Sequence, residues 1–469
     1  MDFLKNPEHW KVTWSKEGPY TIDFEAVSLD QLEACPKCGA PKERLRPNGV
    51  KKRHLIDAPQ LSKTGKLKRV QIVMTLRRYV CGDCGKSSLQ PLEGVTGKER
   101  VTTRLKLFAA REGLLRQYTD VARLTQLSRR HVRELSDEYG EFLDRTERQK
   151  LAKVVCMDGV YYARAERILL TDPERKLALE VFPGGDAEKI LADIKERFTD
   201  KERARVRVVV IDMSATLRCV AAKAFPNATI VIDRFHVFKK ANKAVDGVRE
   251  ALRKERKKER REGRETMVRS EILRKHRADM TEEQEAQLDR WLGILPRHRE
   301  AYEVKELLST LWFSSSPETA EGRYEEWLGE LAKCSPLVRA QFKKHFTKAV
   351  DDWGKDIFAY FDDRFDNGFT ERMNRDVKDL QADCRRLSFN SMRKKIVYGT
   401  LVKRWRDEEE AQHTKERVAR LKKPRKGPWT VTQKPRKQRQ QPAAPATHLS
   451  PKPKGARGRR PQPLLPFPD

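Results

Sequence analysis

No run of apolar residues approaches the ~18 that a membrane-spanning helix needs, and the opening MDFLKNPEHWK lacks the apolar core of a secretory signal. The expectation is a cytoplasmic, nucleoid-associated protein with no membrane partner. Cysteine is sparse, eight in 469 residues. In a reducing compartment these are not a disulfide framework, so regular spacing among them points to metal. Acids are in deficit: 69 Asp and Glu against 100 Lys and Arg leave a formal charge of +31. A soluble chain that far from neutrality meets a polyanion, and nucleic acid is the first candidate. The deficit is sharpest from Leu421, where 13 Lys and Arg face Asp469 alone and account for +12 of the +31. This Pro- and Gln-rich stretch cannot bury enough apolar surface to fold alone. It reads as a disordered arm adding salt-sensitive DNA affinity, or else as an inert solubilising tail. The remaining +19 belongs to the body.

What is present is organised around Val206 to Val237, VRVVVIDMSATLRCVAAKAFPNATIVIDRFHV. Val206 to Ile211 is short, β-branched and apolar on both faces, as a buried strand is, and it stops at Asp212. Ser214 to Phe225 reads as a helix, and Ala228 to Ile232 as a second buried strand ending at Asp233. Two strands joined by one helix imply a parallel pair, so both acids reach the same sheet edge.

Upstream, Cys35-Pro36-Lys37-Cys38-Gly39 is answered by Cys81-Gly82-Asp83-Cys84-Gly85. Two Cys-x-x-Cys knuckles, each closed by a Gly, suit tetrahedral Zn²⁺ held by four thiolates, and the β-rich Lys66 to Val80 between them resembles the hairpin of a zinc ribbon. Four thiolates leave no open position for substrate, so the ion is structural. Cys156, Cys219, Cys334 and Cys384 lack such spacing and read as small core or surface residues. Thr102 to Leu115 then reads as a helix, and Tyr118 to Phe142 has helix-turn-helix spacing, with Ser128 as N-cap of the second helix. Its exposed face would carry Arg129, Arg130, His131 and Arg133 into a major groove; an ordinary helical hairpin is the plainer reading.

From Lys153 the pattern turns to strands. Val154 to Met157 lead into Asp158, and Ala165 to Leu170 with Leu177 to Phe182 form a hairpin across Asp172-Pro173. Asp186 to Phe198 follows as an amphipathic helix. The order strand, strand, strand, helix, strand, helix, strand, with an Asp ending the first strand and another ending the fourth, is that of a ribonuclease H-like core. Carboxylates about 4 Å apart repel by ~4 kcal/mol at an effective dielectric near 20, so such a pair needs a cation. Hard oxygen ligands favour Mg²⁺ or Mn²⁺, and two ions serve phosphodiester chemistry. Phe235 to about Tyr360 reads as an all-α insertion, with long Lys/Arg runs between Lys239 and Arg277 that look like a solvated or DNA-facing helix. Asp366, Asn367 and Gly368 then read as turn residues before a helix with the buried stripe Phe369, Met373, Val377 and Leu380. Glu371 lies off that stripe, on a face with Asn374, Arg375 and Lys378.

Asp158 after a strand, the segment VVIDMSATLRCVAAKAFPNATIVIDRFHV and the later NGFTERMNRDVK together resemble the ISL-three family of insertion-sequence transposases, a branch of the Asp-Asp-Glu transposases. The resemblance implies that Asp158, Asp212 and Glu371 are the catalytic, metal-binding triad, that Asp233 and His236 match a motif supporting the site or the DNA, and that Asn374 and Lys378 fit the pattern after the catalytic Glu; these two, with Arg375 on the same face, are the expected DNA contacts there. CRRLSFNS departs from the family, with Ser388 at the usual Gly position. The expected chain is multidomain α/β: N-terminal strands and a four-cysteine zinc ribbon over 1–98; a helix-turn-helix over 99–150; a ribonuclease H-like core with a mixed five-stranded sheet over 151–236 and 361–412; an all-α insertion over 237–360; and a basic tail over 413–469. It would bind the terminal inverted repeats of its element as a homodimer or higher oligomer and cut and join double-stranded DNA. A non-enzymatic regulator derived from such a transposase, and a stand-alone nuclease of the same fold, share parts of this pattern.

Overall fold

Alternation along Leu67–Cys81 sets the N-terminal layer: Val70, Ile72, Met74 and Leu76 are at most 1% exposed, every second residue of one strand. In the computed structural model, which describes residues 9–62, 65–259, 269–383 and 387–422, this strand is β4 of a mixed sheet. Its neighbours are β1 (Trp10–Glu17), β2 (Thr21–Ser28), β3 (Leu45–Leu61) and β5 (Ser87–Leu89). The order is β1-β2-β4-β3, with β5 also on β4; β2 and β4 are parallel and the other pairs antiparallel. The aliphatic face of β4 packs with Phe24, Ala26 and Leu55.

Helices α1 (Thr103–Leu115), α2 (Tyr118–Thr125) and α3 (Arg129–Thr146) follow. Thr102 and Ser128 cap α1 and α3 by accepting from the Leu105 and His131 N–H groups, each typically worth about 1 kcal/mol. Between α2 and α3 the turn passes through Gln126, whose φ of 60° ends α2 in the left-handed conformation.

The second sheet comprises β6 (Val154–Tyr162), β7 (Ala165–Asp172), β8 (Leu177–Phe182), β9 (Val208–Ile211) and β10 (Thr229–Ile232), in the order β10-β9-β6-β7-β8. β6, β9 and β10 are parallel, while β7 and β8 continue as antiparallel hairpins. The first and fourth of its strands are therefore neighbours. Connections α4 (Ala187–Arg197), α5 (Asp200–Arg203) and α6 (Ala215–Ala224) complete it. One boundary differs from the sequence reading: Asp158 lies inside β6 and does not end it. Parallel pairing with β9 stops at Met157, but the hairpin with β7 runs on from Asp158↔Leu169 to Tyr162↔Ala165. Asp158 thus marks the end of the parallel half alone.

Helix α7 (Arg234–Glu259) leaves β10 and opens a wholly helical stretch of described residues: α8 (Ser270–Arg274), α9 (Glu282–Ile294), α10 (Pro296–Leu307), α11 (Pro317–Lys333), α12 (Pro336–Phe342), α13 (Lys348–Phe358) and α14 (Tyr360–Asp363). Trp291, Trp312, Trp327, Phe342 and Phe346 are buried in it, as packing rather than display. Helices α15 (Gly368–Asp383) and α16 (Phe389–Lys422) return to the second sheet, where Met373, Val377, Met392 and Val397 join Leu169 and Val181. Chain contacts delimit a body, Met1–Ala411, and a C-terminal unit, Gln412–Asp469. Parts of the basic run (260–268), residues 384–386 with Cys384, and the tail beyond 422 lie outside the described residues.

Candidate active site and metal-binding residues

Strand β9 is apolar and buried throughout and β10 ends in the buried Val231 and Ile232, so the residues at which they stop are the first polar groups that edge of the sheet presents. Asp212 follows β9 and Asp233 follows β10, with Asp158 on β6 beside β9. Helix α15 brings the remaining groups. Its Thr370 hydroxyl meets the Thr171 hydroxyl of β7 at 2.7 Å in the core, and the Cys156 thiol donates to the Asp366 carbonyl at 3.7 Å. Those contacts fix Asn367, Glu371 and Asn374 over the strand ends.

The resulting cluster is tightly joined. Asn374 Nδ2 donates to Asp158 Oδ2 at 2.7 Å, and Asn367 Nδ2 to the same oxygen at 3.4 Å; the Asn367 backbone N–H donates to Asp233 Oδ1 at 3.3 Å. His236 Nδ1 sits 3.0 Å from Asp233 Oδ2. One ligand atom each of Asp233, His236 and Glu371 lies within 4.8 Å of the other two. The sequence reading gave Asp233 and His236 a supporting part; here they lie against Glu371 itself. Of the face shared by Glu371, Asn374, Arg375 and Lys378, the first two turn toward the acids while Arg375 and Lys378 are exposed. Asn367, fully buried, was read only as a turn residue, and nothing in an Asp-Asn-Gly string tells the two uses apart.

The electrostatics follow from too many acids in too little water. Burial, then the neighbouring Asp212, pushes the Asp158 carboxyl up to about 6. Burial also raises Asp212, and burial with Asp233 raises Glu371. The hydrogen bond that His236 donates to Asp233 raises His236, with Asp158 and Asp212 adding to it. The Asp212 Oδ1, Asn367 Oδ1 and Asn374 Oδ1 atoms are buried without a hydrogen-bond partner. Orphaned oxygens beside raised carboxyls are what a hard cation satisfies, so the donor set fits Mg²⁺ or Mn²⁺.

The four N-terminal cysteines fit a different ion. Cys35, Cys38, Cys81 and Cys84 present their sulfurs within 4.8 Å of one another, with Cys35 to Cys84 at 3.8 Å and Cys38 to Cys81 at 3.7 Å. Both knuckles have the same backbone: Gly39 N–H donates to the Cys35 carbonyl and Gly85 N–H to the Cys81 carbonyl, each at 2.9 Å, with φ of 77° and 67° that suit glycine. The backbone N–H of Lys37 stabilises the Cys35 thiolate and lowers its pKa to about 7. An all-thiolate set of this geometry suits structural Zn²⁺.

On α3, Arg129, Arg130 and Arg133 are exposed and His131 is half-buried, while the Ser128 hydroxyl is taken up by its cap. Arg130 pairs with Glu134 at 2.7 Å and Arg133 approaches Asp137 at 3.9 Å, so this basic face carries its own acids. Among the described residues no helix is long and apolar enough to cross a membrane.

Comparison with known proteins bears on the residues of the carboxylate cluster. A family model of ISL3-type DDE sequences, described as transposase, matches residues 155–396. The transposase for insertion sequence element IS1001 of Bordetella parapertussis is 24% identical over 320 residues, which cover 68% of this chain and 77% of that protein.

Proposed function

Since the chain belongs to the ISL3 family of insertion-sequence DNA transposases, we propose that Asp158, Asp212 and Glu371 are its catalytic, metal-holding carboxylates and that Asp233 and His236 complete their site. The carrying observation is Asp212 Oδ1, a buried and unpartnered oxygen beside a carboxyl raised to about 6. The sheet order supports a ribonuclease H-like core, in which neighbouring first and fourth strands bring two acids together.

Asp158, Asp212 and Glu371 would hold the divalent ions, which would supply Lewis acidity toward an attacking water or 3′-hydroxyl and toward the leaving oxygen of a phosphodiester. The chain's own groups do the rest. Asn367 and Asn374 hold one Asp158 oxygen by donating to it, which leaves the carboxylate a single orientation. Asp233 orients the His236 ring through Nδ1 and favours its charged form beside Glu371. In this reading the reaction is cleavage at the element's ends and transfer of the freed strands to target DNA. The helix-turn-helix, with Ser128 capping and Arg129, Arg130, His131 and Arg133 on its second helix, would engage the terminal inverted repeats, and Arg375 and Lys378 the DNA beside the site. The zinc ribbon is then a structural clip, the active form is a homodimer or higher oligomer on DNA, and the protein works at the nucleoid.

The test is Mn²⁺- or Mg²⁺-dependent cleavage of a supercoiled plasmid bearing the element's ends. Wild type is expected to cut at the ends; Asp212→Ala is expected to bind them and not cut. Binding by both without cleavage by either would instead favour a DNA-binding regulator.

A further inference from the structure

The long helix α7 begins at the carboxylate cluster and carries a stripe away from it. His236, Lys240, Lys243 and Gly247 are spaced i, i+4, i+7 and i+11, so they share one face. At 1.5 Å per residue, Lys240 lies about 6 Å and Lys243 about 10 Å along the axis from His236. At Gly247 the helix passes close to α12: a Cβ there would run into the Gln341 side-chain oxygen. Beneath this contact Ala241, Ala244, Val248, Phe342 and Phe346 are buried.

Two residues beyond Gln341, the chain widens into a π turn, Lys343–Thr347. Such turns are rare and concentrate at functional sites. This one sets Lys344 and His345 beside the α7 stripe. The charges that reach the His345 ring come from Lys243, Lys344 and Lys240, all of one sign, and together with its burial they lower its pKa. Of the other described acids on α7, Asp246 pairs with Arg274 at 2.5 Å and Glu255 with Arg297 at 2.9 Å, while Glu250 is exposed two turns beyond Lys243. Among the described residues, no ion pair neutralises Lys240, Lys243 or Lys344. Like charges gathered without a counter-charge destabilise the free protein and are relieved by an anion.

We propose that Lys240 and Lys243 of α7, with Lys344 and His345 of the π turn, form a saddle for the DNA backbone running away from the carboxylate cluster. The ligand class is the phosphodiester of duplex DNA. A strand rises about 3.4 Å per nucleotide, so a span of about 6 to 10 Å matches phosphates two to three nucleotides from the one being cut. The proposal rests on the transposase reading of the site and adds which face of the inserted helices holds the substrate. It also separates Lys240 and Lys243 from the more distal Lys/Arg run, which the sequence alone could not divide into solvated and DNA-facing parts.

The experiment measures binding of the full, zinc-loaded chain to a labelled duplex of about 30 base pairs across a salt series. Wild type is compared with Lys243→Ala/Lys344→Ala, with Lys243→Arg/Lys344→Arg, and with Lys195→Ala/Lys223→Ala, which removes exposed lysines of α4 and α6. The saddle variant is expected to bind at least tenfold more weakly at low salt, with a log–log salt slope smaller by about 2, one unit per lost phosphate contact. The Arg variant should restore the slope and the α4/α6 variant should keep it. A wild-type slope in the saddle variant, or an equal loss in the α4/α6 variant, would overturn the saddle while leaving the catalytic reading standing. Wild type that binds no duplex would overturn both.

Discussion

Two groups of acids at the second sheet, each wholly or partly buried, are answered in opposite ways. Glu180 of β8 and Asp144 of α3 meet Arg393 and Arg197: Arg393 reaches Glu180 at 2.5 Å and Asp144 at 3.0 Å, and Arg197 reaches them at 2.7 and 2.6 Å. Tyr398 donates to Asp144 as well. These cations hold the Asp144 carboxyl below the ordinary range, against the pull of burial. Asp158, Asp212 and Asp233 meet chiefly one another, two amides and a histidine, and Asp158 is raised to about 6. The paired group joins α3, the sheet and α16 into one body. The other group is left short of positive charge, which a divalent ion would bring.

Breaking the clamp should cost more than relieving the cluster. Arg393→Met leaves Glu180 and Asp144 sharing Arg197, and removal of one partner from a buried ion pair costs about 3–5 kcal/mol. Chemical denaturation should read a loss of that size, and a loss under about 1 kcal/mol, the scale of an exposed pair, would mean that the clamp does not hold α3 to the sheet.

The smaller effect has the opposite sign. An unfolded Asp titrates near 3.9, whereas folded Asp158 titrates near 6. The folded chain therefore binds this proton more tightly, and the stability so gained is full below pH ~4 and lost as pH rises through ~6, about 2–3 kcal/mol in all. Asp144, with its value lowered, contributes stability at neutral pH that is lost only as pH falls below ~4. In chelator, wild type should lose stability between pH ~4 and ~7, and Asp158→Asn should flatten that decline. Parallel profiles for the two proteins would remove Asp158 as its source.

The same contrast governs what could be read from the chain. Apolar runs ending in Asp212 and Asp233 announced buried parallel strands because both faces are hydrophobic, and the spacing of Cys35, Cys38, Cys81 and Cys84 announced their convergence. Ser128 was legible as a cap because cap chemistry is local. Asp158 was misplaced at a strand end because the β6–β7 turn uses Ala163 and Arg164, at φ 50° and 66°, where Asn or Gly would have flagged a two-residue hairpin. Asn367 was hidden by its suitability for a turn. Arg393 looked like one more charge in a basic chain, since pairing with Glu180 over 213 residues of separation leaves no spacing to recognise.

The central claim is that the unneutralised cluster, and not the clamp, takes the divalent ion. Its most direct test is thermal unfolding of the zinc-loaded chain with and without Mn²⁺, wild type against Asp158→Asn/Asp212→Asn. The account predicts a saturable stabilisation of wild type, about 2.7 kcal/mol at a hundredfold excess over Kd, and little or none in the variant. Equal stabilisation of both proteins would contradict it.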